Sequence, residues 1–161
     1  MNRKEAGYSY LELAVAVTII ALVVLLLMPS LQSYQANAQV RQIGEELVSA
    51  ARAAELDAVS EGEIVSWVAS YDNPPYVIEF FGTSEQQLAT VTLPPTMHVT
   101  GSCYRGLFTP QGIATTRCGP GLTFELLCFD SNTSGNPYGF EITVVVATGQ
   151  VIGNPIQGPC H

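Results

Sequence analysis

Positive charge is scarce in this chain. Its 161 residues include six Lys and Arg against fourteen Asp and Glu, a formal net charge of −8, and no Lys or Arg follows Arg117. Binding to nucleic acid draws most of its affinity from Lys and Arg meeting phosphates, so a DNA or RNA partner is disfavoured. An acidic excess more often keeps a surface soluble than recognises a ligand. Histidine is rarer still: His98 lies in an alternating apolar stretch and His161 is the last residue. Neither has a neighbouring acid, base or nucleophile motif, so the chain does not read as an enzyme. Cysteine pairs of the C-x2-C type are missing, which leaves a zinc site without its usual close ligands. No metal or cofactor is implied. There is no internal repeat, no low-complexity segment, and no A-x-A cleavage site after an apolar core of the kind a secretory signal peptide would carry.

What is present is concentrated at the N-terminus. From Leu13 to Met28 only Thr18 is not apolar, and Arg3 and Lys4 stand just before this region. Basic residues there favour keeping the N-terminus in the cytoplasm and sending the remainder across a membrane. The run alone would span about 24 Å as a helix, short of a hydrocarbon core of ~30 Å; Tyr8 to Leu11 complete the span. Glu12 then falls near the cytoplasmic interface, where a carboxylate is costly unless it snorkels to the headgroups or has a partner.

Gly7, followed by Tyr8-Ser9-Tyr10-Leu11-Glu12-Leu13 and a long aliphatic run, resembles the leader and first helix of type IV pilins and type II secretion pseudopilins. The resemblance implies cleavage after Gly7 by prepilin peptidase and methylation of the new Tyr8 amine. Tyr8 stands where the family usually has Phe. Glu12 is fifth counting from Tyr8, matching the family's glutamate, and Pro29 matches a frequent proline further on. In a filament, the Glu12 carboxylate of one subunit can meet the Tyr8 amine of a neighbour. A buried pair is far less costly than either charge alone, so the pairing penalises wrong register. The implied partners are other pilin or pseudopilin subunits, the prepilin peptidase and the inner-membrane assembly platform. The implied location is the inner membrane, crossed once, with the C-terminal domain in the periplasm and the chain assembled into a pilus or pseudopilus.

Past Pro29 the helical pattern resumes. Val40, Ile43, Leu47, Ala50, Ala51, Ala54 and Ala58 recur at three- and four-residue spacing, with Gln42, Glu45, Glu46, Arg52 and Glu55 opposite. A helix from Tyr8 to about Ser60 would be roughly 80 Å long, kinked or locally melted at Pro29 and stopped at Gly62. Candidate strands follow at Ile64–Ala69, Tyr76–Phe81, Leu88–Leu93, His98–Tyr104, Leu122–Phe129 and Phe140–Ala147 with Val151, separated by Gly, Pro and Asn turns. The expected fold is α+β and pilin-like, a long and partly transmembrane N-terminal helix packed on a C-terminal antiparallel sheet. The expected divisions are a leader at 1–7, an assembly half of the helix at 8–31, an amphipathic half at 32–62 and a β-rich domain at 63–161.

Four cysteines, Cys103, Cys118, Cys128 and Cys160, lie in the C-terminal third. Their even number and the export signal point to two disulfides. Cys103 and Cys118 are symmetric about the Pro110-Gln111 turn centre, and Cys160 would tie the C-terminal tail to Cys128. Three segments resemble the H-type minor pseudopilins and their type IV minor pilin relatives: Ala50-Ala51-Arg52-Ala53-Ala54-Glu55, Leu107-Phe108-Thr109-Pro110-Gln111-Gly112, and Val144 to Val151, in which Gln150 stands where a basic residue is common. The resemblance implies a structural subunit that initiates or caps a filament of a type II secretion system or type IV pilus. The alternative is a DNA-binding minor pilin in DNA uptake, which the missing basic residue and the acidic charge disfavour.

Overall fold

The structure, a computed structural model, describes residues 10–70, 74–101, 103–116, 121–131 and 138–160, with the side chains of 26–30 and Phe124 outside that description. The chain divides into two compact units, one ending at Gln35 and the other running from Ala36 to His161. The first element is helix α1 (Tyr10–Glu61). Its helical assignment continues through Pro29, so the expected local melting does not occur. A proline removes one hydrogen bond and costs about 3 kcal/mol. Strong helix formers such as Leu25, Leu26, Leu27 and Met28 precede it, and propagation is favourable once a helix is nucleated. The helix ends as Gly62 predicts. Gly62 has a φ of 69°, and the Glu63 N–H donates to the Ala58 carbonyl at 3.2 Å, the six-to-one bond that closes a helix on a left-handed glycine.

Among the described residues nine strands follow: β1 (Val65–Ser70), β2 (Tyr76–Phe81), β3 (Gln87–Leu93), β4 (His98–Thr100), β5 (Arg105–Phe108), β6 (Ala114–Thr116), β7 (Thr123–Asp130), β8 (Tyr138–Val145) and β9 (Val151–Gln157). They form two antiparallel sheets in the orders β3-β2-β1-β5-β6 and β4-β7-β8-β9. The strand expected over His98–Tyr104 stops at Thr100: His98–Thr100 pairs with β7 in the second sheet, and a separate strand beyond the expected span, Arg105–Phe108, pairs with β1 in the first. The chain changes sheet across Gly101 and Cys103, where the alternating apolar pattern had suggested continuity. The sheets meet where the Ala114 N–H donates to the Val146 carbonyl at 3.0 Å and the Val146 N–H donates to the Leu122 carbonyl at 2.9 Å. The C-terminal part of α1 covers both, giving the expected architecture of a helix on antiparallel sheet.

The stripe on α1 is the inner face. Val40, Leu47, Ala51, Ala54 and Ala58 are at most 2% exposed. They pack in one core with Trp67, Ile78 and Phe80 of the first sheet and Leu127, Ile142 and Val144 of the second. Gly44 belongs to the same face, although as a mid-helix glycine it carries no hydrophobic signal. The Phe140 ring occupies the space a side chain would need there: a Cβ built on Gly44 falls 2.4 Å from that ring, and one built on Gly153 of β9 falls 2.7 Å from it. The same ring stacks on Phe129 with centroids 6.1 Å apart. Gly44→Ala is therefore expected to destabilise the fold by about 1–3 kcal/mol through overpacking, although alanine alone favours a helix by about 1 kcal/mol. Urea unfolding should show a lower midpoint at unchanged slope; an unchanged or raised midpoint would refute the close approach.

Candidate assembly surface

Within the first unit, every described side chain from Tyr10 to Leu25 is exposed, including Tyr10 at 87% and Leu25 at 68%. The exposure goes all the way round the helix. A helix that is apolar on every face needs other apolar groups, from lipid or from neighbouring helices. Thr18, the polar interruption, donates its hydroxyl to the Ala14 carbonyl at 2.8 Å and so presents little unmet polarity outward. Glu12 lies in the first turn, exposed, and the next ionisable Asp, Glu, Lys or Arg along the chain is Arg41. A carboxylate at this end is favoured by the helix dipole. Gly7 and Tyr8 lie outside the described residues, as does the side chain of Pro29. Among the described residues no helix is long and apolar enough to cross a membrane. The side chains of 26–30, which belong to the expected span, lie outside that set.

The cysteines separate into two cases. Cys128 of β7 and Cys160 form a disulfide with Cα atoms 5.7 Å apart. It closes a loop of 32 residues, worth about 4 kcal/mol by loop entropy. Asp130, buried on the same strand, accepts the Cys160 N–H at 3.1 Å and lies 3.3 Å from His98 Nδ1. The tail is thus fixed to the sheet by a covalent bond and a hydrogen bond two residues apart on one strand. Cys103 is not a free thiol, but Cys118, its expected partner, lies outside the described residues. A hairpin does lie between these two positions: β5 and β6 pair Phe108 with Ala114 and Gly106 with Thr116. This register is centred on Gln111, half a residue beyond the expected centre. The turn closes through Gly112, whose φ is 71° and whose N–H donates to the Thr109 carbonyl at 2.9 Å.

The Ala-Arg segment has a structural task that the sequence did not disclose. Arg52 donates through Nε and Nη2 to the Val151 carbonyl, at 3.2 and 3.1 Å, and so holds the start of β9 to the helix. Burial pushes the Glu55 carboxyl above its usual range, and Arg52 partly opposes that. Arg41 pairs with Glu45 at 2.9 Å on the exposed face. Gln150 is exposed in the turn between β8 and β9.

On β7, burial and then the neighbouring Glu141 push the Glu125 carboxyl up. Its folded-state pKa is therefore above the unfolded one, so the ionised form is disfavoured by folding at neutral pH, and the penalty fades as pH falls through the folded pKa. Glu125→Gln should accordingly raise the melting temperature slightly at pH 7. The advantage should vanish below the unfolded carboxylate range near pH 4. A Gln variant that is less stable at pH 7, or whose advantage grows in acid, would contradict this assignment.

No protein-family model matches the chain, and no curated protein sequence matches it. Two crystal forms of the Pseudomonas aeruginosa type IV minor pilin FimU are similar to it in structure, each with a TM-score of 0.54. One is 18% identical and covers 75% of this chain and 99% of its own; the other is 17% identical and covers 80% and 99%. The fold is therefore shared with this minor pilin.

Proposed function

We propose that the chain is a minor pilin-type subunit, a structural component that initiates or caps a filament of a type II secretion system or type IV pilus. The observation that carries the reading is the α1 segment from Tyr10 onward. It is apolar on all sides, has Glu12 as its lone ionisable Asp, Glu, Lys or Arg before Arg41, and belongs to a chain with the pilin fold. In this reading prepilin peptidase cuts after Gly7 and the Tyr8 amine is methylated. The apolar helix sits in the inner membrane and then among neighbouring subunits supplied by the assembly platform. The likeness to a pilus minor pilin supports the pilus side, and the Ala-Arg, Phe-Thr-Pro-Gln-Gly and Thr-Gly segments support the H-type pseudopilin side. DNA uptake draws no support from a chain of net charge −8 with an uncharged Gln150 at the exposed turn.

The work of assembly falls to Glu12. Methylation leaves the Tyr8 amine cationic, so a neighbour's amine can pair with the Glu12 carboxylate once both are removed from water. Removing one member of a buried pair costs about 3–5 kcal/mol, or roughly a thousandfold in association. Insertion into the membrane asks the opposite of this residue, since deleting a charge eases the span. Glu12→Gln should therefore give normal protein level, normal insertion and normal processing, but loss from the sheared or complexed filament fraction. Wild-type incorporation of the Gln variant would refute the ion pair.

Processing is checked separately. The intact mass of the protein purified from membranes should correspond to a chain that begins at Tyr8 and carries one methyl group. A chain beginning at Met1, or cut near Ser30, would overturn the leader assignment.

A further inference from the structure

Among the described residues the two sheets present four edge strands, and three of them are guarded. β4 and β6 are three residues each. β9 carries Pro155, which has no N–H to offer, and its Val151 carbonyl is taken by Arg52. Short edges, prolines and charged side chains are the usual devices against unwanted strand pairing. β3 has none of them: its seven residues, Gln-Leu-Ala-Thr-Val-Thr-Leu, include no Lys, Arg, Asp, Glu or Pro. Thr90 and Thr92 are exposed along it.

A second feature adjoins the start of this strand. A concavity of about 210 Å³ is lined by Leu88 of β3 and Gln86 together with Asp57, Glu61 and Glu63. Glu61 and Glu63 are exposed and Asp57 is half-buried, no cation among the described residues lines the space, and the last turn of α1, where the helix dipole is negative, contains no basic residue. Leu88 at 39% exposure offers apolar contact beside them.

We propose that β3 receives an extended segment of a partner subunit as an added strand, with a Lys or Arg of that segment seated against Asp57, Glu61 and Glu63. Main-chain hydrogen bonds along the edge supply affinity, and the carboxylates select the sign of the partner's charge. A second copy of this chain is the poorer occupant, because it has the same net charge of −8. The inference rests on the filament-subunit reading only for the existence of a partner. Its failure would leave the Glu12 result standing, and failure at Glu12 would leave this edge untouched.

The probe is a fluorescent synthetic peptide, Lys-Thr-Val-Thr-Val-Thr-Lys with blocked ends, titrated onto the full chain in detergent micelles at low salt. Saturable binding is expected, with slowed amide exchange confined to β3. Thr92→Lys, at an exposed position, should weaken it about tenfold by setting like charges together. The pair Glu61→Gln and Glu63→Gln should weaken it severalfold and flatten its salt dependence, because screening then has less attraction to remove. A peptide with Glu in place of Lys should bind at least about tenfold more weakly. Absence of saturable binding, indifference to Thr92→Lys, or equal binding of the Glu peptide would overturn the proposal. So would self-association of the chain abolished by Thr92→Lys, which would assign the edge to a second copy.

Discussion

The closeness with which α1 can approach the second sheet governs the packing of the domain. The Phe140 ring lies where side chains of Gly44 and Gly153 would otherwise stand, so helix and edge strand close on it from two sides. Interiors packed at crystal density transmit any added volume as displacement. A methyl group at either glycine must move the ring, the helix or β9. The alanines further along the helix depend on the same spacing: Ala51, Ala54 and Ala58 are buried because nothing larger holds the helix away. Arg52 can reach the Val151 carbonyl for the same reason.

Several polar contacts then complete what the packing begins. The guanidinium of Arg52 holds the start of β9, while Asp130 and the Cys128–Cys160 bond hold the tail that follows it. β9 is an edge strand containing Gly153, Asn154 and Pro155, a poor sequence for a ladder; it pairs with β8 along its length and is fastened further around its ends. The contrast with β3 is informative. β3 reads well as a strand and, among the described residues, carries no such fastening and keeps an uncharged open edge.

The two units place opposite demands on solvent. The second unit buries its apolar residues in one core beneath an acidic surface. The described residues of the first unit up to Leu25 are exposed and almost wholly apolar, an arrangement that water does not stabilise and that lipid or packed helices do. Thr18 satisfies its hydroxyl within the helix, which leaves Glu12 as the place where burial would require a partner. The described apolar residues of that helix call for lipid or packed helices around them, whereas the domain covers its own core.

Much of this was legible in the residues alone. The periodic Val40, Leu47, Ala51, Ala54 and Ala58 stripe, the helix stop at Gly62, and strands such as Tyr76–Phe81 follow from local rules of period, propensity and positive φ, which act within a few residues and need no distant partner. The pairing of Cys128 with Cys160 was proposed from the position of the tail and is present. Other features depend on contacts between residues far apart in sequence. The early end of the strand expected over His98–Tyr104, and the start of another in the other sheet at Arg105, depend on distant partners, β7 for the first and β1 for the second. β9 exists because β8 and Arg52 hold a segment whose own residues argue for a turn. The reason for a glycine at position 44, in mid-helix, is the ring of Phe140, ninety-six residues later, which fills the space beside it. Sequence determined where the chain would coil, extend and stop, because those preferences are local. Only the tertiary structure decided which segments became neighbours and how near they could come, because close packing and edge pairing are properties of two surfaces together.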